Sequence, residues 1–452
     1  ADSIARKSDF ATSTAYKEIL IVGGTTEFTG YVESATEAHI TGLVIDGVSV
    51  PVARVGANVE LILDRTPFYA ESGGQLGDHG VITSGSGASR VDVYDVQTPV
   101  PGLFLHRGRI VAGEFAVGET VIGSVDTERR KAISRAHTAT HMVHRAFRER
   151  LGETATQMGS ENSPGRLRFD FPSPEAVSPA VLRDVEQYVN TMLIEDLAVS
   201  ASLMSQQEAL DMGAMALFGE KYGNEVRVVS VGDWAHELCG GTHAQRTGAL
   251  GLVYFVGEGS VGAGVRRVEA LVGADAYEYA ANEHLLVSKL TSMLKVPADQ
   301  LADRLESTIS ALKVAEKEIA EGKRSALLNN ADTILGEPVR HGNCDLWVFG
   351  APAGSDASSL RELAQQAISR AGNSSMAVAF GAMVTGDKVS AVVAVNDFGV
   401  KAGCSAQHLL RLALHELDGK GGGKENFAQG AGTNSTALPA AVASVEAALA
   451  AQ

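Results

Sequence analysis

Cys239-Gly240-Gly241-Thr242-His243 sets a thiol and an imidazole four residues apart across a Gly-Gly turn, close enough to close on one metal ion. Upstream, His137-Thr138-Ala139-Thr140-His141 adds two imidazoles one helical turn apart. On a helix that spacing puts both rings on one face. Three nitrogens and one sulfur form a donor set that suits zinc. The H-x-x-x-H spacing also occurs in zinc proteases of the H-E-x-x-H kind, but Thr138 stands where their general-base glutamate would be, which argues against peptide hydrolysis. His144 falls on the same helix face and reads as a spare ligand, a group behind the ligands or a solvated residue. If His137, His141, Cys239 and His243 all bind at once, the tetrahedral shell is full, as in structural sites. Catalysis then needs one ligand released or the shell expanded, so that a bound water can be acidified.

Two glycine-rich runs could hold small ligands. In Phe68-Tyr69-Ala70-Glu71-Ser72-Gly73-Gly74-Gln75 the glycines allow close backbone approach, and Thr66, Ser72 and Gln75 can hydrogen-bond a polar substrate. The plain alternative is an ordinary turn between strands. Gly419-Lys420-Gly421-Gly422-Gly423-Lys424, continuing to Gly432, departs from the P-loop pattern, because Asp418 precedes it and Glu425 follows Lys424. It reads either as a flexible loop or as an amide cradle in which Lys420 and Lys424 hold phosphates.

The elements that must position these residues follow from periodicity. Residues 1 to about 126 alternate like strands at Phe28 to Val32, His39 to Ile45, Val59 to Leu63 and Val91 to Val96, with glycine turns between, and suggest a small β-barrel-like module. A helix from Glu128 to about Leu151 carries His137 and His141. Arg166 to Phe171 reads as a strand, Pro174 to Ala198 as a helix, and Val226 to Val231, Leu252 to Val256 and Val265 to Leu271 as strands. The fold class over 1 to 274 is therefore α+β. Between 275 and 328 glycine is scarce, and Leu301, Leu305, Ile309, Leu312 and Ile319 recur at helical spacing. Pro297 divides two helices, a hairpin or a short coiled coil. From 329 to 452 strands at Leu346 to Phe349, Met376 to Phe380 and Val389 to Val395 mix with helices at Ser358 to Arg370 and Ser405 to Leu417, a separate α/β unit with an Ala-rich helical tail.

Composition narrows the function classes. With 452 residues there is room for several domains. The net charge of −16 repels nucleic acid on average, so any RNA contact needs a local basic patch. Arg129, Arg130, Lys131 and Arg135, with Arg145, Arg148 and Arg150 further on, supply one around the paired histidines, or else line an ordinary solvated helix face. No apolar run is long enough to span a membrane, and three cysteines cannot build a disulfide framework, which favours a reducing, cytoplasmic setting. The chain starts at Ala1 without a signal peptide or initiator Met, which reads as a cut or cleaved start.

Together the motifs resemble the C-terminal half of the alanyl-tRNA synthetase family. HTATH at 137–141 and ELCGGTH at 237–243 look like its editing-domain zinc motifs, and FYAESGGQ at 68–75, RLRFDF at 166–171 and GVRRVEA at 264–270 also match. The helical pair and GKGGGKENFAQGAG at 419–432 look like its C-terminal DHHA1-type domain, with Ala and Gly exchanged at 430–431 relative to the usual A-Q-A-G-G and no Asp-His-His motif. The resemblance implies hydrolysis of mischarged Ser-tRNA(Ala) and Gly-tRNA(Ala) at one Zn2+ per chain held by His137, His141, Cys239 and His243. It implies Thr66 for the serine hydroxyl contact, Gln75 for substrate positioning, and tRNA(Ala) held by Arg129, Arg130, Lys131, Arg135, Lys420 and Lys424. It further implies a possible homodimer through the helical and C-terminal parts, and no alanine activation or ATP site within this chain. The alternative is a non-catalytic tRNA-binding and dimerisation module with a purely structural zinc.

Overall fold

The computed structural model describes residues 14–215, 223–352, 355–371 and 374–451. The chain divides into two compact units, one ending at Lys289 and the other beginning at Leu290.

The first unit opens with a closed six-stranded antiparallel barrel. Ala35–Ile45, Asn58–Leu63, Leu103–Ala112, Arg90–Val100, Gly80–Ser84 and Thr120–Val125 are successive neighbours, and the last pairs back onto the first from Thr120↔His39 to Ser124↔Ala35. Closure removes sheet edges, and alternate side chains fill the interior, among them Ile40, Leu61, Ile82, Val91, Ile110 and Val121. Each such aliphatic side chain contributes about 1.5–3 kcal/mol by leaving water.

The strand expected at Phe28 to Val32 shrinks to Glu27–Phe28, which pairs in parallel with Arg65–Thr66. The chain then turns at Gly30, where an added Cβ would lie 2.2 Å from Pro67 O. That turn delivers Tyr31 to the metal-motif loop.

The helix Thr127–Leu151 follows the barrel. Asp126 caps it by accepting the Arg129 N–H, and it ends at Gly152, whose φ of 100° suits glycine. It packs against a four-stranded sheet of Gly159–Ser163, Arg166–Pro172, Val265–Val272 and Val253–Gly262, through Phe147, Phe169, Phe171 and Val268. The helix expected at Pro174 to Ala198 is shorter, Pro179–Ile194, because Ser178 caps it and Pro179 begins its first turn. A three-stranded sheet, Val199–Ser205, Glu225–Val231 and Ala235–Leu238, presents the Cys239 turn.

The helical stretch beyond forms Ala274–Leu294 and Leu301–Asn329, with Pro297 between them. In the second unit a six-stranded mixed sheet runs Val339–His341, Cys344–Gly350, Met376–Thr385, Lys388–Val395, Phe427–Gly432 and Lys420–Gly423. The helix Ala357–Arg370 shares a core cluster with Trp347, Ala377 and Val392, whereas Ala406–Glu416 and Leu438–Ala450 join Leu346, Val378 and Val393 in a second. The start of the glycine run is not a flexible loop. It is a strand pair, Lys420↔Ala431 to Gly423↔Ala428, with Lys420–Gly423 as the exposed edge strand of the sheet. Packing favours glycine there, since an added Cβ at Gly430 would come within 2.9 Å of the paired strand's Lys420 O as well as meeting Leu414. Among the described residues no helix is long and apolar enough to cross a membrane.

Candidate metal centre

The helix Thr127–Leu151 and the turn after Ala235–Leu238 bring four donors together. One ligand atom each from His137, His141, Cys239 and His243 lies within 4.8 Å of every other. Cys239 Sγ is 3.4 Å from His137 Nε2. A tetrahedral zinc with Zn–N and Zn–S bonds of ordinary length has edges of about 3.3–3.6 Å, so the cluster is near the size the ion needs.

Hydrogen bonds at the far ring nitrogens set each histidine's tautomer. Gln75 Oε1 accepts the Thr242 N–H at 2.8 Å, which fixes the amide's orientation. The same oxygen is 2.9 Å from His137 Nδ1, so that nitrogen donates and Nε2 is bare. Thr138 Oγ1 donates to Ser134 O at 2.9 Å and accepts the Ala244 N–H at 3.1 Å. Facing His243 Nδ1 at 3.1 Å, it can only accept, which leaves His243 Nε2 bare. Glu237 accepts from His141 Nδ1 on one oxygen and, at 2.9 Å, from His144 Nδ1 on the other. His141 Nε2 and His243 Nε2 are buried without a hydrogen-bond partner. Buried nitrogens so left are costly unless something else engages them, and partners of this kind are how metal-binding histidines are oriented.

The electrostatics agree at Cys239 and His243 and differ at His141. Burial alone would raise the Cys239 thiol, but His137, His141 and His243 facing it bring it well below the ordinary thiol range, toward the thiolate that binds metals. Burial alone would lower His141, yet the Glu237 carboxylate and Cys239 raise it above an ordinary imidazole. Glu237 is likewise held below the carboxylate range by His141 and His144 despite its burial. Burial lowers His243 to about 3, so its imidazole stays neutral. The Cys239 thiolate and the neutral His243 ring are the protonation states that a zinc site uses, whereas His141, held charged by Glu237 and Cys239, would give up its Nε2 proton to a metal.

The turn itself is clamped. Arg227 Nη1 donates to Cys239 O at 2.8 Å and Gly241 O at 3.0 Å, while Tyr31 OH donates to Gly240 O at 2.6 Å. The Arg227 guanidinium lies 4.1 Å from the Tyr31 ring centroid. Three successive carbonyls are thus engaged, and Gly241 N–H points at Cys239 Sγ at 3.3 Å. Gly241 is there because a Cβ would fall 2.2 Å from His137 Cε1.

A cavity of about 510 Å³ opens beside His243, lined by Ser134, Thr242, Lys131, Arg135 and Arg227 among others. Gln75 joins the centre directly. Thr66 does not line this cavity; it is fully buried in the barrel, with Oγ1 2.7 Å from His106 Nε2. The basic residues separate by role. Arg129 Nη1 donates to Gly77 O at 2.8 Å. Arg130 is half-buried against the buried Asp78, its Nε 2.8 Å from Oδ2, and donates to Gly30 O and Pro67 O. Lys131 is exposed and pairs with Glu128 at 2.9 Å. Arg135 lines the cavity and has no hydrogen-bond or ion-pair partner among the described residues. Lys420 and Lys424 are exposed in the second unit.

Of the three readings the sequence left for His144, the structure shows the group behind the ligands, since it shares Glu237 with His141, while Glu237 and Arg227 themselves were not singled out. Strand alternation could have found Glu237, two residues before Cys239. Nothing local marks Arg227, which reaches the turn only through strand pairing.

Comparison with known proteins places these features together. Residues 2–129 match the family profile described as tRNA synthetases class II (A), residues 226–269 that of the threonyl and alanyl tRNA synthetase second additional domain, and residues 346–451 the DHHA1 domain. An alanine–tRNA ligase of Acidothermus cellulolyticus is 51% identical over 98% of this chain and 50% of its own length. One from Salinispora tropica is 49% identical over 100% of this chain and again 50% of its own. A solved structure described as the C-Ala domain from Aquifex aeolicus alanyl-tRNA synthetase is 27% identical, covering 25% of this chain and 99% of that one, with a TM-score of 0.23. The chain spans about half the length of the curated relatives it matches.

Proposed function

The chain belongs to the alanine–tRNA ligase family, matching its C-terminal half with the editing and DHHA1 regions, and on that premise we propose that its first unit hydrolyses the ester of mischarged Ser-tRNA(Ala) and Gly-tRNA(Ala). The observation that carries this reading is the convergence of one ring nitrogen each from His137, His141 and His243 with Cys239 Sγ, beside a cavity lined by cations.

Editing answers a physical limit. A pocket for alanine separates it from neighbours differing by a methyl or a hydroxyl by only about 10- to 200-fold. A second, hydrolytic site that requires the serine hydroxyl leaves its own polar groups unpaired when alanine enters. His137, His141, Cys239 and His243 would hold the zinc, which when bound supplies a Lewis acid and lowers the pKa of water. The chain's own groups do the rest. Gln75 orients His137 and the Thr242 backbone, its positioning role in this reading. The Ser134 and Thr242 hydroxyls, 2.8 Å apart, face the cavity where the serine hydroxyl would sit. Thr66 supports that wall from inside the barrel, since its neighbour Pro67 receives Arg130. Arg135 and Lys131 would attract the acceptor-end phosphates, and Lys420 and Lys424 would add contacts from the second unit.

A second reading has its own support: four donors that close around one ion are the pattern of a structural site. In that case the chain grips tRNA(Ala), with homodimerisation through its helical and C-terminal parts, and performs no chemistry. Incubation with Ser-tRNA(Ala), Gly-tRNA(Ala) and Ala-tRNA(Ala), beside Cys239→Ala and a chelated sample, separates the two. Release of serine faster than alanine, lost on both treatments with tRNA binding kept, supports hydrolysis. Equal release of serine and alanine, or full activity in Cys239→Ala, overturns it.

A further inference from the structure

His144 is a buried imidazole that takes no part in the converging donor set. It stands three residues beyond His141 on the helix Thr127–Leu151, and residues so spaced are neighbours on one face. The Glu237 carboxylate, 3% exposed, spans the two rings. One oxygen accepts from His141 Nδ1 and the other, at 2.9 Å, from His144 Nδ1. His144 Nε2 is buried with no hydrogen-bond partner, and the ring packs on Phe169 with centroids 5.3 Å apart. Among the described residues, the side chain's only polar contact is therefore the one to Glu237.

A carboxylate with a single partner can turn about its Cγ–Cδ bond. Held at both oxygens, it cannot turn without leaving a buried group unpaired, which is costly. That restraint matters at this position. Glu237 comes two residues before Cys239, and a carboxylate is itself a competent zinc donor. Yet Glu237 is not one of the four groups that converge. We infer that His144 is a positioning residue: by holding the second oxygen of Glu237 it keeps the carboxylate aimed at His141 and out of the metal shell, so that the donor set stays three nitrogens and one sulfur. Partners that orient a ligand directly are a recurrent part of metal sites. His144 acts one step further out, by orienting the partner. The inference rests on the metal assignment alone and holds for a hydrolytic or a structural ion.

The test uses the full chain and separates the donor from the ring. Asn places an amide N–H where His144 Nδ1 stands, whereas Phe keeps the aromatic contact with Phe169 and removes the donor. Competition against a chromophoric chelator should give wild type and His144→Asn zinc affinities within about threefold of each other, and His144→Phe an affinity about 10- to 100-fold weaker. Cobalt substituted for zinc reports the shell itself. Wild type and His144→Asn should share the visible spectrum of a tetrahedral thiolate site, while His144→Phe should show the weaker bands of a shell that an oxygen donor has joined. If His144→Phe does not fold, His144→Met, which also lacks the donor and adapts its shape, takes its place in both measurements. Unchanged zinc affinity and cobalt spectrum in the donor-free variant overturn the inference. His144→Asn behaving like the donor-free variant also overturns it, since the ring and not its hydrogen bond would then matter. A wild type that takes up no metal sinks the metal assignment and this inference with it. The expected series of affinities without hydrolysis of any seryl ester sinks the hydrolytic reading and leaves the role of His144 standing.

Discussion

Gln75 Oε1 lies 2.9 Å from His137 Nδ1, and because the same oxygen already accepts the Thr242 N–H, the imidazole has one tautomer available. A residue on the barrel side therefore decides that a residue on the helix turns a bare nitrogen toward Cys239. Removing that control should weaken metal binding without removing a ligand. Gln75→Ala is expected to lower zinc affinity by about 10- to 100-fold, the usual effect of losing such a partner. Competition against a chromophoric chelator reads this directly, and an unchanged affinity would remove Gln75 from the centre.

The two glycines of the turn make opposite demands. A Cβ on Gly240 would have the Tyr31 hydroxyl at 3.9 Å as its nearest neighbour, an ordinary contact, whereas on Gly241 it would collide with His137 Cε1. Gly240→Ala should keep one zinc per chain by elemental analysis. Gly241→Ala should fold with a similar far-ultraviolet spectrum yet bind substoichiometric zinc. Equal zinc content in the two variants would show that the His137 ring does not sit against the turn in solution.

Arg130 and Arg135, read from the sequence as parts of one basic patch, should respond differently. Arg130 pairs with the nearly inaccessible Asp78 carboxylate, so Arg130→Ala strands a buried charge and should cost about 3–5 kcal/mol of stability by urea unfolding. Arg135→Ala should leave stability within about 0.5 kcal/mol and instead reduce the salt dependence of RNA binding by about one phosphate contact. Two variants that both leave the salt slope unchanged would leave the patch without a role in RNA binding.

The contrast between those arginines shows what local pattern conveys. Ligand spacing is local, so His137, His141, Cys239 and His243 were legible: helix periodicity and a Gly-Gly turn suffice to aim them at one point. Strands were legible where one face is buried, as at Ala35–Ile45. Glycine misled at 419–432, because composition alone does not distinguish a loop from a strand flattened for the passage of Leu414. Whether a cation is free depends on residues far along the chain, and Asp78 lies 52 residues from Arg130. The same holds for Glu237, nearly a hundred residues from the two histidines it orients.

Thr66 poses the sharpest test of a residue's role. Leu61 O takes the His106 Nδ1–H at 2.8 Å, so His106 Nε2 is an acceptor and the Thr66 hydroxyl donates to it. Thr66→Val leaves a buried acceptor unpaired and should cost about 1–3 kcal/mol. Loss of serine-over-alanine selectivity at unchanged stability would instead mark a direct substrate contact. The pairing also gives a pH signature. Burial lowers His106 to about 4, so below the ordinary value of 6.5 the unfolded chain takes up a proton that the folded barrel refuses. This group's contribution is complete above about pH 6.5 and declines as pH falls toward 4, by about 2 kcal/mol between pH 7 and 5. His106→Gln lacks the titrating ring, so the stability difference between wild type and variant should narrow by that amount over the same interval. A difference independent of pH would mean that water reaches the barrel interior at His106.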